Sequence, residues 1–143
     1  MKTYTDITQS KKLAEILPLE SADAFYLIGK EPVDIVVIYG FVTHKHLKEQ
    51  VALKRAIPCW SLAALICVLP RYLKYSKGRC PLNLLTLDFE NPHRKDHCWI
   101  AGYWDYDEEY EKYNFQMEAR EGEVIDACYE LILKLHEHKL LNK

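Results

Sequence analysis

The stretch GEVIDACYELILKLHEH (122–138) decides the fold class when it is read together with IPCWSLAALICVLP (57–70). In the first, Val124, Cys128, Leu131 and Leu135 recur at i, i+4, i+7 and i+11, and Ile125 and Ile132 widen the stripe. Asp126, Glu130, Lys134 and Glu137 take the opposite side. This spacing predicts an amphipathic helix with one buried face. Glu130 precedes Lys134 by four residues, the favourable order for a surface ion pair. Glu123 and Asp126 near the start, and His136, His138 and Lys139 near the end, complement the helix dipole. Such a helix needs a sheet or other helices to cover its stripe.

The second stretch lies in the longest charge-free run, between Arg55 and Arg71. It is 15 residues long over 56–70 and holds Pro58 and Pro70. A membrane-spanning helix needs about 20 apolar residues, so no membrane span is expected, and the run predicts a buried core helix after Pro58. A chain of 143 residues is expected to form one domain, 1–143, large enough for a core without staples. A hydrophobic fraction of 49% and a net charge of −2 describe a soluble globule. With no basic block, nucleic acid is not an expected partner.

Thr8 is a candidate cap for a short helix through Leu13, Ile16 and Leu17, ended by Pro18. Residues 25–28 predict a short strand. The β-branched run VDIVVIY (33–39), apolar on both faces, predicts a central strand. Residues 43–56 predict a helix, 71–81 a basic loop with Lys74, Lys77 and Arg79, and 91–95 a turn. Leu85, Leu87 and Phe89 alternate with polar residues as in a strand with one wet face. Segments 97–104 and 113–119 predict a hairpin. Tyr103, Tyr106, Tyr110 and Tyr113 also fit helical spacing, so a helical turn over 105–112 is an alternative. The expected fold class is α+β, an antiparallel sheet of about four to five strands with terminal and central helices packed on one face.

Four stretches, QSKKLAEILPLESAD (9–23), IPCWSLAALICVLP (57–70), the aromatic hairpin and VIDACYELILKLHEHKLL (124–141), resemble a family of short uncharacterised proteins of phages, prophages and mobile elements of gut Bacteroidetes. The resemblance covers about half of the chain, in the family's order. It implies a phage-like protein working in bacterial cytoplasm. The family has no assigned activity, so no catalytic residue follows from it.

Five cysteines stand at 59, 67, 80, 98 and 128 without regular spacing, and Met1-Lys2-Thr3 runs into a polar segment rather than a secretory leader. The expectation is reduced thiols in a cytoplasmic protein. Cys59 is the candidate nucleophile. It follows Pro58 at the predicted helix start, where the dipole lowers a thiol pKa, and His93 or His97 would serve as base. The plainer account is a small apolar side chain packed beside Trp60.

His93-x₃-His97 has a metal-ligand spacing, and Cys98 and Cys80 could add thiolates. No paired Cys-x₂-Cys accompanies it, however, and neighbours on a strand face apart. No metal and no cofactor are expected. His44-x-His46 and His136-x-His138 would diverge on a helix.

Asp105, Asp107, Glu108, Glu109 and Glu111 form an acidic run without the glycine or ligand order of a calcium loop. With the tyrosines among them they suggest a binding surface for a basic protein, with Tyr103, Tyr106, Asp107, Glu109 and Tyr110 as its residues. The bland alternative is a solvated hairpin tip. A base-stacking platform of Trp99, Tyr103, Trp104 and Tyr113 is disfavoured by the acids beside it. The reading is therefore a non-enzymatic protein-binding or accessory module, with a cysteine-dependent enzyme using Cys59 as the alternative.

Overall fold

The computed structural model describes residues 1–29, 33–38, 40–75, 78–88 and 97–141, with backbone alone at 40–44, 75, 87–88, 97, 106–107 and 112–115. The fold is α+β, with helices and two antiparallel sheets. Where the sequence pattern predicts one sheet of about four to five strands, the chain forms two, of three and four strands. Its contacts gather into two compact units, Lys2–Val68 and Leu69–Lys143 with Met1, each built on its own sheet.

The first unit runs α1 (Ile7–Ile16), a 3-10 turn (Leu19–Ser21), β1 (Ala24–Leu27), β2 (Asp34–Val37), α2 (Gly40–Ala52), β3 (Ala56–Cys59) and α3 (Leu62–Val68). Asp6, not Thr8, caps α1. Its carboxylate accepts from Gln9 N–H at 2.8 Å, and the Gln9 side chain accepts from Asp6 N–H at 3.0 Å. This reciprocal box satisfies two orphan amides at once, which a hydroxyl at position 8 could not do. Burial works to raise the Asp6 carboxyl, but the Gln9 amide, the Lys2 ammonium and the Thr8 amide together hold it below the usual carboxylate range.

The sheet order is β2-β1-β3. Residues 33–39 read as a central strand, yet β2 takes an edge, with Ile35 and Val37 exposed. β-Branched composition selects a strand but not its place in the sheet, and the centre falls to β1, whose Ala24 and Phe25 are buried. Tyr39 lies outside the described residues.

The start of the 57–70 stretch is a strand rather than a helix. Ile28 N–H donates to Arg55 C=O at 2.9 Å, so the pair Phe25↔Pro58 falls at a non-hydrogen-bonded position. The missing proline N–H therefore costs the edge ladder nothing. The helix begins only at Leu62. Ser61 Oγ accepts from Ala64 N–H at 3.3 Å, and Ser61 N–H donates to the Asp23 carboxylate at 2.8 Å.

Trp60 is fully buried at the seam between α1 and β3. Its N–H donates to Thr5 Oγ1 at 3.2 Å, its carbonyl accepts from Thr5 N–H at 2.9 Å, and its indole donates to Ser21 Oγ at 3.0 Å. Thr5 and Ser10, both fully buried, are hydroxyl partners at 2.8 Å. Every polar group in this seam is thereby satisfied, as burial demands.

The second unit is a meander, β4 (Tyr72–Tyr75), β5 (Gly78–Asp88), β6 (His97–Asp107) and β7 (Lys112–Glu121), in the order β4-β5-β6-β7, followed by α4 (Val124–Glu137). The predicted basic loop over 71–81 is thus largely a hairpin. Tyr72, Leu73 and Tyr75 are good strand formers whose pattern the interspersed Lys74 and Arg79 obscure. The predicted turn over 91–95, Phe89 and Lys77 lie outside the described residues.

The helix α4 packs on β6 and β7 as its stripe requires, burying Val124, Ile125, Cys128, Leu131, Ile132 and Leu135. Leu65 and Leu69 are buried likewise. The helix ends in a Schellman motif. Leu140 N–H donates to Leu135 C=O at 2.8 Å and Lys139 N–H to His136 C=O at 3.1 Å, with Lys139 at φ +57°. No helix among the described residues is long and apolar enough to cross a membrane.

Candidate functional site

The hairpin β6–β7 brings the acidic run to its tip. Its register pairs Asp105↔Asn114, Tyr106↔Tyr113 and Asp107↔Lys112. The strand period thus persists to Asp107, and Glu108, Glu109, Tyr110 and Glu111 make the connecting turn. The helical alternative for 105–112 does not form. Glu111 adopts the left-handed region at φ +50°, which closes the turn.

Lower in the hairpin the strands approach very closely. A Cβ built on Gly102 would lie 2.6 Å from Met117 C=O and 3.0 Å from Glu118 Cα, so only glycine fits there. A register shift between Tyr103 and Trp104 makes room for one extra residue on β7.

The predicted binding residues separate. Tyr110 is 66% exposed at the apex, and Glu108, Glu109 and Glu111 around it are exposed. The side chains of Tyr106 and Asp107 lie outside the described residues, though their backbone stands at the base of the turn. Tyr103 is a correction. It is fully buried, its hydroxyl donates to Pro70 C=O at 2.7 Å, and burial pushes its phenol pKa up, with the Cys128 thiol of α4 adding to the shift. Its ring fills the core beneath α4 and cannot meet a partner. Trp104 is also buried, which removes two rings from the stacking platform.

The nucleophile reading is corrected as well. Cys59 ends β3 instead of opening a helix, so no dipole lowers its pKa, and it is fully buried. Burial pushes the thiol up to about 12, and the Asp23 carboxylate adds to the shift. Such a group stays protonated at neutral pH and does not attack. His93 and the His97 side chain lie outside the described residues.

All five cysteines are free, with Cys67 exposed and Cys59, Cys80 and Cys128 buried. Burial pushes the Cys128 thiol to about 12 as well. Iodoacetamide on the native protein is therefore expected to modify Cys67 and spare Cys59 and Cys128, while denaturation exposes all five. Labelling of native Cys59 at the rate of Cys67 would reverse this placement. Among the described residues no three His, Cys, Asp or Glu side chains converge to hold a metal ion.

Sequence periodicity could not separate Tyr103 from Tyr110, because both stand in one tyrosine series. The register shift between Tyr103 and Trp104 carries the distinction: it sets Tyr103 opposite Met117, in a stretch buried without a break from Ile100 to Trp104, and no local pattern records it. Compared with known proteins, the chain matches no family model, no curated protein and no solved structure.

Proposed function

We propose that this protein acts by binding another protein, through the tip of the β6–β7 hairpin, and not by catalysis. The observation that carries the reading is Tyr110, a large aromatic side chain 66% exposed at the apex of a turn. Around it stand the exposed carboxylates of Glu108, Glu109 and Glu111. Tyrosine delivers much contact area at little entropic cost, and such rings dominate interface energies. The carboxylates steer a basic partner toward the ring more than they hold it. The backbone of Tyr106 and Asp107 pairs with that of Tyr113 and Lys112 at the base of the same turn. The resemblance of the four sequence stretches to phage and mobile-element proteins supports a role in bacterial cytoplasm, with a host protein as partner.

The test uses partner capture from lysate of the encoding organism, followed by association kinetics with the captured protein. Tyr110→Ala is expected to weaken binding by about tenfold or more, the scale of a hot-spot ring, with an unchanged melting temperature. Glu109→Lys is expected to slow association, more at low salt than at high salt. Full retention of binding in both variants would return the tip to a solvated turn with no role.

A further inference from the structure

We propose that the outer edge of β4 is a second docking surface, which takes an extended acidic segment of another protein as an added strand. β4 ends the meander, and among the described residues no strand pairs with its outer side. Leu82 N–H donates to Arg71 C=O at 2.9 Å. In an antiparallel ladder, inward and outward backbone groups alternate. Residues 71, 73 and 75 therefore face β5, and the N–H and C=O groups of Tyr72 and Lys74 face outward. Pro81 stands opposite Tyr72, a position where β4 asks for no N–H from β5. The edge thus presents two donors and two acceptors at strand spacing.

The side chains around this edge select the partner. From Leu69 to Leu87 the chain carries Arg71, Lys74, Lys77 and Arg79 and no acid. Arg71 and Lys74 are exposed, and neither has an acidic partner among the described residues. The Arg79 guanidinium lies 4.5 Å above the Tyr72 ring and opposite Lys74 in register, so one face of the edge joins an aromatic ring to two cations.

Beside the edge lies a groove of about 540 Å³ lined by Pro70, Arg71, Tyr72, Leu73, Lys74 and Leu140. The Schellman motif at the end of α4 sets Leu140 there, 42% exposed. An added strand puts alternate side chains on opposite faces. Acids at every second position meet Lys74 and Arg79, and the apolar residues between them meet Leu73 and Leu140. Bare edges of this kind invite strand addition, and the charge fixes its sign.

A short fluorescein-labelled peptide of alternating Glu and Val tests the proposal by fluorescence anisotropy on the full chain. A peptide of alternating Lys and Val, and the Glu-Val peptide N-methylated at every residue, serve as controls. The Glu-Val peptide is expected to bind, more weakly as salt rises. The Lys-Val peptide carries the opposite charge, and the N-methylated peptide has no N–H to donate to the edge, so neither is expected to bind.

Lys74→Gln removes a charge and is expected to weaken binding about threefold. Lys74→Pro also removes an outward N–H that no ladder bond uses, and a further loss of about fivefold is expected. Slowed amide exchange at Tyr72 and Lys74 on peptide addition gives a readout free of any variant. Equal binding of all three peptides, or unchanged exchange at both amides, overturns the proposal. So does a dimer in sedimentation whose interface already protects those amides, since the occupant is then a second copy.

Discussion

Trp60→Ala is expected to lower stability by about 3–5 kcal/mol, the range for removing a large buried aromatic side chain. Trp60 is fully buried, and the loss exceeds that of its apolar area. The indole N–H bond to Ser21 disappears with it, leaving a hydroxyl that bonds to Pro18 C=O at 2.6 Å but has lost its donor. The backbone bonds between Thr5 and residue 60 survive the substitution, because they use main-chain atoms on that side. The damage therefore centres on a cavity in the first unit. Urea denaturation followed by far-ultraviolet circular dichroism measures the change. A loss under about 1 kcal/mol would mean that the seam collapses onto the cavity, and that the tryptophan does not hold α1 against β3.

Leu131→Ala is the counterpart in the second unit, with an expected loss of about 2–5 kcal/mol. Leu131 sits in the middle of the α4 stripe and is fully buried where the helix meets β6 and β7. Its neighbours along the stripe, Cys128 and Leu135, are also fully buried, so the void has no solvent to open into. The same denaturation experiment reads it. A small loss here would show α4 loosely laid on its sheet, and the tip of the hairpin would then stand on a less rigid base than the packing implies.

Much of this architecture was legible because burial writes a strong period into a sequence. The α4 stripe and the helix before Pro18 each follow from one face being dry. The places where reading failed share a cause. Residues 33–39 are apolar enough for a central strand, but strand order comes from long-range pairing, which no local pattern records. The strand at 56–59 was hidden because Pro58 is a common helix starter and a rarer edge-strand residue, and only the partner register tells them apart. The strand pairing over 72–81 was hidden by its cations, since an edge strand exposed to water need not alternate.

The candidate site divided in the same way. Tyr110 at the tip and Tyr103 in the core carry the same ring, and what separates them is a helix packed on one and not on the other. For Cys59, reading depended on where a helix begins. A difference of three residues in that start, from Cys59 to Leu62, turns a dipole-activated thiol into a protonated core side chain.

The most direct test of the binding account places a photo-reactive benzoylphenylalanine at position 110, with the same group at exposed Lys12 in the first unit as reference. Irradiation in lysate of the encoding organism is followed by mass analysis of the adducts. The account predicts a discrete protein adduct from position 110, diminished by Glu109→Lys and missing from position 12. No adduct from position 110, or the same adducts from both positions, would contradict it.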